Sequence, residues 1–340
     1  MTPPRTPMIR TALLPKITNL SDLPIDYSGL KEKSDEHQLV TSVMEHSAYL
    51  ASLLKKYPDC VLQFLKHGAD KSFWQLKASF SSESESALMR DVRHYKQQAA
   101  LIIGLADIAG QWDLRQVTHA LSHSASVTLN HCVDYLLEYY QKKYGLTIEN
   151  VEDGSGIIIL ALGKLGGDEL NYSSDIDLIL LYEASKLSLA NDRPLQRLLN
   201  RFAQDLVKLM QQRTAEGYVF RVDLRLRPDP SSTPLMVSTH AAMRYYESVG
   251  QNWERAAYIK AKPIAGDINA GEKFLATLKP FIWRKSLDFA AISDIQSIKR
   301  QMDRAFDNHS FSCAGYDVKK GLGGIREIEF LAQIHQLIWG

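Results

Sequence analysis

Two short apolar runs, "GIIILALG" (156–163) and "DIDLILLY" (175–182), flank the polar loop "KLGGDELNYSS". Each is too short for a typical helix, rich in aliphatic residues and bounded by glycine or polar residues, the pattern of a buried strand. The second run opens on two aspartates one residue apart. Side chains alternate along a strand, so Asp175 and Asp177 share one face while Ile176 and Leu178 share the other. Two carboxylates on one face repel each other, and burying them unpaired is costly. A cation at the strand end removes both penalties.

Magnesium suits such a place. It prefers hard oxygen ligands, binds through one or two carboxylates, and completes its shell with water and substrate phosphates. Upstream, Gly166 and Gly167 permit a tight turn whose N–H groups can face a phosphate. A third carboxylate comes from "YVFRVDLRLRP" (218–228), which alternates strictly and is expected to form a further strand. On it Arg221, Asp223, Arg225 and Arg227 share a face. Asp223 is positioned to complete a two-metal site or to take a proton from a hydroxyl nucleophile. Arg225 and Arg227 offer planar forks for phosphate oxygens. Metal, glycine turn and guanidinium groups together describe an in-line displacement at phosphorus, catalysed by positioning and charge neutralisation.

Around this unit the periodicity is helical. From about Asp35 to Gly145 three apolar stripes recur. The first is Leu39, Val43, Met44, Tyr49, Leu50, Leu53 and Leu54, the second spans Leu88 to Ala109, and the third is "DLRQVTHALSHSASVTLNHCVDYLLEYYQKKYG". Asp113 is the expected N-cap of the third and Gly145 its stop. "RPLQRLLNRFAQDLVKLMQQR" is an amphipathic helix between the second and third strands. Helical pattern returns in "FLATLKPFIW", "AAISDIQSIKRQMDRAF" and "REIEFLAQIHQLIW". The expected division is a loosely ordered lead-in (1–35), a helical region (36–148), an α+β unit (149–264) and a C-terminal helical region (265–340). The pattern stops in mid-course at Trp339 and Gly340, as expected of a truncated polypeptide.

Composition removes several classes. Lys plus Arg number 40 against 39 Asp plus Glu, so no basic bias supports nucleic-acid coating. The aromatic and basic segment "MRYYESVGQNWERAAYIKAK" therefore reads as helices packed on a sheet rather than a nucleic-acid platform. Cys60, Cys132 and Cys313 are too far apart for a metal or disulfide framework, which points to reduced thiols in the cytoplasm. Neither a signal sequence nor an apolar run of about 18 residues is present, so no membrane span is expected. His119 and His123 lie four apart on a helix but lack a third ligand, and read as ordinary helix surface.

Three stretches carry a family resemblance: "GKLGGDELNYSSDIDLILLY", "FRVDLRLRPDPSSTPLMVS" through "YYESVGQNWERAAYIKAKPIAGD", and "DVKKGLGGIREIEFLAQIHQL". They resemble the polymerase β-like nucleotidyltransferases, and more closely the N-terminal half of the bifunctional glutamine synthetase adenylyltransferase/adenylyl-removing enzymes. The resemblance implies an α+β nucleotidyltransferase fold. It also implies phosphorolytic removal of AMP from an adenylylated tyrosine of glutamine synthetase, with inorganic phosphate attacking and ADP leaving. By position it implies Asp175, Asp177 and Asp223 as catalytic and Mg²⁺-binding residues. Gly166, Gly167, Ser174, Arg225 and Arg227 would contact phosphate or nucleotide (ADP or ATP). Adenylylated glutamine synthetase and the PII signalling protein, in its uridylylated form, are the implied partners. The alternatives are another transferase of the superfamily, such as a protein uridylyltransferase, or a non-catalytic module binding PII and glutamine synthetase. This chain departs from the family at "RPDPSSTPLM", where a glycine-rich loop is usual, and at Asp168 and Tyr172, where a basic residue and phenylalanine are common.

Overall fold

The apolar runs form the strands that their composition predicts, and the polar loop between them is where the chain leaves the sheet. The computed structural model describes residues 27, 29–31, 33–189, 194–283, 316–319, 321 and 323–339. The described residues fall into two units. One contains residues up to 139 with 168–175 and 205–222; the other contains 140–167, 176–204 and those from 223 onward. Most of the expected lead-in, the helix expected in "AAISDIQSIKRQMDRAF", and Cys313 lie outside the described residues.

The first unit is built on helices α1 (Asp35–His46), α2 (Ala48–Lys56), α3 (Pro58–Trp74) and α4 (Glu85–Ile108). Helix α5 (Leu114–Tyr144) follows. Ser34, Ser47 and Ser84 cap α1, α2 and α4 by accepting from backbone N–H groups three residues on. Asp113 and Gln116 cap α5 reciprocally: Gln116 N–H donates to Asp113 Oδ1 (2.8 Å) and Asp113 N–H to Gln116 Oε1 (2.9 Å). Gly145, at φ +70°, stops α5 as expected. Leu39, Val43, Leu53 and Leu54 are buried, whereas Tyr49 is half-exposed. Cys132 is fully buried, and burial pushes its thiol and that of Cys60 up to about 12.

Arg93 is fully buried in this unit. Its guanidinium donates to the carbonyls of Met89 (2.7 Å), Leu209 (3.2 Å), Gln212 (2.5 Å) and Gly217 (2.9 Å). Leu209 lies in the last turn of helix α7 (Leu195–Gln211) and Gln212 directly follows it, where carbonyls lack intrahelical partners and a cation is favoured.

The second unit is mixed α+β. Strands β1 (Leu146–Ile148) and β4 (Leu187–Leu189) form a small antiparallel ribbon. The main sheet has the order β5-β3-β2-β7, from β5 (Val222–Asp223), β3 (Ile176–Tyr182), β2 (Ile157–Ala161) and β7 (Lys262–Gly266). Strand β6 (Met236–Ser238) pairs parallel with β3. Strand β2 is antiparallel to both neighbours, with Ile159 opposite Leu180 on β3. Helices α8 (Thr239–Ser248), α9 (Asn252–Tyr258) and α10 (Ile268–Ile282) cover one face. There Ile158, Leu160, Ile179 and Leu181 pack with Tyr246, Tyr258, Phe274 and Leu278. The segment "MRYYESVGQNWERAAYIKAK" thus supplies core, as expected. The neighbours Ile159, Leu178 and Leu180 are buried too, so β2 and β3 are covered on both faces, which explains their unbroken apolar character.

Sequence periodicity missed β6 and β7, since three- and five-residue strands holding Ser238 or Pro263 and Gly266 carry little alternation. Among the described residues no helix is long and apolar enough to cross a membrane.

Candidate active site

Asp175 immediately precedes β3 and Asp177 is its second residue. Asp175 is exposed and Asp177 half-buried. Asp175 Oδ1 forms an ion pair with Arg221 Nε, and the same guanidinium donates to the carbonyl of Ser173 at 2.8 Å. Arg221, placed by sequence on the arginine face, is thus the residue that holds Asp175.

Asp177 sits against Gly163. The N–H of Leu162 donates to the Asp177 carbonyl at 2.9 Å. Gly163 has φ +55°, and a Cβ there would lie 2.5 Å from Asp177 Oδ2. Glycine is therefore required beside this carboxylate, for conformation and for space. Sequence reasoning passed over Gly163; its signal was the position directly after an apolar strand.

The adjacent glycines do different work from a bare phosphate turn. Gly163–Gly166 is a single helical turn (α6). Gly166 N–H is bonded to the Leu162 carbonyl (3.0 Å) and Gly167 N–H to the Gly163 carbonyl (3.1 Å). Both donors are used within the turn. Gly166 is buried, and a Cβ there would lie 2.1 Å from the Lys260 carbonyl oxygen and 2.6 Å from that of Ala161. Its lack of a side chain lets α6 seat on the sheet.

The expected long strand "YVFRVDLRLRP" is corrected. Only Val222–Asp223 is strand, and the chain then turns. Asp223 Oδ1 accepts the backbone N–H of Arg225 at 2.9 Å, a local closure that competes with the sheet ladder. Arg225 then folds back on Asp223, with Nε 2.9 Å from Oδ2 and Nη2 2.5 Å from it. That guanidinium holds the Asp223 carboxyl below the usual carboxylate range, against the opposing effect of burial. Arg227 braces the following loop by donating to the carbonyls of Leu224 (2.9 Å) and Pro230 (2.8 Å). Its Nε is buried without a partner.

The divergent loop "DPSST" closes on itself. Asp229, at φ +36°, accepts from the hydroxyls of Ser231 (2.5 Å) and Ser232, and Thr233 N–H donates to the Asp229 carbonyl at 3.0 Å. The other departures are also partnered. Asp168 Oδ2 lies 2.5 Å from His119 Nδ1, and the Tyr172 hydroxyl donates to Asp107 Oδ2 at 3.0 Å. His119 is therefore more than bare helix surface. The ring of His123 packs on Phe73 and Trp74.

Asp177 on β3 and Asp223 on β5 lie on neighbouring strands of one sheet. Hard carboxylate oxygens of this kind fit a divalent cation of the magnesium class. In the arrangement described, guanidinium groups occupy Asp175 and Asp223. Among the described residues no three His, Cys, Asp or Glu side chains are grouped to hold a metal ion.

A mixed sheet with Asp177 near the start of β3 and Asp223 at the end of the neighbouring β5, and with helices packed on it, is the α+β layout of a nucleotidyltransferase-type unit. The comparisons make this specific. The model of the family described as glutamate-ammonia ligase adenylyltransferase matches residues 37–277, and the chain belongs to that family. A second model, described as PII-uridylyltransferase, matches residues 295–340. Similar proteins include the bifunctional glutamine synthetase adenylyltransferase/adenylyl-removing enzyme of Rhodopseudomonas palustris strain BisB5. It is 44% identical over 334 residues, covering 94% of this chain and 34% of the relative. The counterpart from Bradyrhizobium sp. strain BTAi1 is 50% identical, covering 77% of this chain and 27% of the relative. That from Agrobacterium fabrum strain C58 is 49% identical, covering 75% and 26%. The chain spans about a third or less of the length of these curated relatives.

Proposed function

We propose that this chain is the adenylyl-removing half of such an enzyme. It would release AMP from an adenylylated tyrosine of glutamine synthetase by phosphorolysis, giving ADP. The observation that carries the reading is the placement of Asp177 and Asp223 on adjacent strands, with Asp175 directly before the first. The direction of reaction rests on the forms "ELNYSSDIDL", "WERAAYIKAKPIAGD" and "GGIREIEF", which resemble the N-terminal half of these proteins.

Asp177 and Asp223, on adjacent strands, would hold Mg²⁺, which would supply charge neutralisation at the transferring phosphoryl group, while Asp175 is held by Arg221. The residues themselves bind and orient. Gly163, with no Cβ, lets the Asp177 carboxylate pack directly against the turn that follows β2. Arg221 and Arg225, each beside a site carboxylate, would steady phosphate oxygens, and Arg227 braces the loop that follows. Ser174 stands one residue before Asp175 as a hydroxyl donor. No covalent enzyme intermediate is needed for an in-line attack by phosphate. Adenylylated glutamine synthetase is the substrate under this reading, with uridylylated PII as the regulatory partner and the cytoplasm as the setting.

The test is to incubate the chain with adenylylated glutamine synthetase, Mg²⁺ and inorganic phosphate, and to separate the released nucleotides. Phosphate-dependent ADP supports the reading. AMP released without phosphate would make the reaction hydrolysis, and no product from folded chain would point to a non-catalytic binding module. The match of residues 295–340 to a PII-uridylyltransferase model favours one second reading, transfer of a uridylyl group. Turnover with UTP in place of ADP or ATP would select it.

A further inference from the structure

The first unit contains a cavity of about 670 Å³, walled by α2, α4, the loop 171–174 and the segment 216–220. That volume lies in the range of small-molecule sites. Its walls are largely apolar or aromatic, with Ile103, Tyr49, Tyr218 and Phe220 among them. The electrostatics are uneven. Two carboxylates in the wall already have partners: Asp107 accepts from the Tyr172 hydroxyl, and Glu216 is held by Lys56 and His94. Lys96 differs. Its ammonium lies 5.7 Å from the centre of the Tyr49 ring and 5.8 Å from that of Tyr218, and 3.4 Å from the Tyr49 hydroxyl. Among the described residues no carboxylate pairs with it. Burial draws its amine below the ordinary lysine value, as expected of a cation removed from water without a counter-charge.

A half-buried ammonium between two aromatic rings, facing an open cavity with no acidic partner, is a place built for an anion. We propose that this cavity binds a small molecule joining an anionic group, phosphate or carboxylate, to a planar apolar body. Lys96 takes the anion, Ser173 lines its approach, and Tyr49 and Tyr218 flank the body. Neither Asp177 nor Asp223 lines it. It is coupled to them in sequence, because the loop forming its wall runs from Asn171 through Ser174 directly into Asp175. Occupancy would therefore hold that loop.

Pyridoxal 5′-phosphate, a planar aldehyde carrying a phosphate, tests this directly. Its aldehyde condenses with an uncharged lysine amine, releasing water, and borohydride reduces the imine to a stable secondary amine that peptide mass mapping locates. Lys96 is expected to label with saturation, at least about tenfold faster than the exposed Lys142, because the cavity concentrates the anion and burial enlarges the neutral amine fraction. Pyridoxal, lacking the phosphate, should lose that advantage. Ala100→Leu, which fills the cavity wall while keeping Lys96, should slow labelling about tenfold with an unchanged circular dichroism spectrum. Equal labelling by pyridoxal, or labelling untouched by Ala100→Leu, would overturn the proposal. So would labelling lost in Asp177→Asn, because Lys96 would then belong to the transfer site.

Discussion

Asp177 is the residue on which the proposed chemistry turns. It is half-buried at the start of β3, with its Oδ2 packed against Gly163, where a side chain would clash with it. Replacing it by Asn keeps shape and removes charge. Asp177→Asn should lower phosphate-dependent ADP release by at least about a hundredfold, the scale of losing a principal electrostatic group. Circular dichroism should remain that of the parent, and a folded, fully active variant would refute the assignment. Asp267 offers a residue-scale prediction of stability. Its side chain, almost wholly buried, accepts from Ala270 N–H (2.9 Å) as the N-cap of α10 and from Gly156 N–H (3.1 Å), and pairs with Lys186 at 2.8 Å. Burial raises its carboxyl, but Lys186 and the two amides outweigh that, so it titrates below its ordinary value. A depressed folded-state value stabilises the protein above the unfolded value of about 3.9, and that contribution is lost as pH falls through the folded one. Asp267→Asn should cost about 3 kcal/mol at pH 7. Urea denaturation of the variant should also change less than that of the parent as pH falls from about 4.

At the scale of elements, two contacts decide whether the parts seat. The Arg93 fork joins the carbonyl ends of α7 and the 212–217 turn to α4 within the first unit. Arg93→Met removes four hydrogen bonds, among them the buried one to the Leu209 carbonyl at the end of α7, so a loss of about 3 kcal/mol is expected, read as a lower urea midpoint. Arg93→Lys should recover only part of it, because an ammonium lacks the planar fork. Gly166→Ala places a methyl 2.1 Å from the Lys260 carbonyl oxygen, so α6 or the chain before β7 must shift. A loss of about 3 kcal/mol is expected from that overpacking. A normal melting temperature for Gly166→Ala would return the glycine pair to a purely phosphate-binding role.

At the scale of the whole molecule, the chain corresponds to about a third or less of its relatives. Under the proposed function it should catalyse removal of AMP from glutamine synthetase but not addition of AMP from ATP, a split that radiolabelled nucleotide in each direction would measure. The sequence by itself determined the helical lead, the two central strands, the caps at Asp113 and Gly145, and which carboxylates to watch. Those features are local: periodicity, β-branched runs and turn residues act through nearest neighbours and can be read in a window of a few turns. Tertiary structure alone decided the rest. The arginine strand ended at Asp223 because a side chain captured the Arg225 amide, a competition that alternation does not register. Strands β6 and β7 became sheet because β3 and β2 offered them unpaired edges. Arg93 and Lys96 look like ordinary residues along the chain, and Gly166 looks like half of a phosphate turn. Their roles come from carbonyls, backbone and rings that are distant in sequence and meet them only in the folded units.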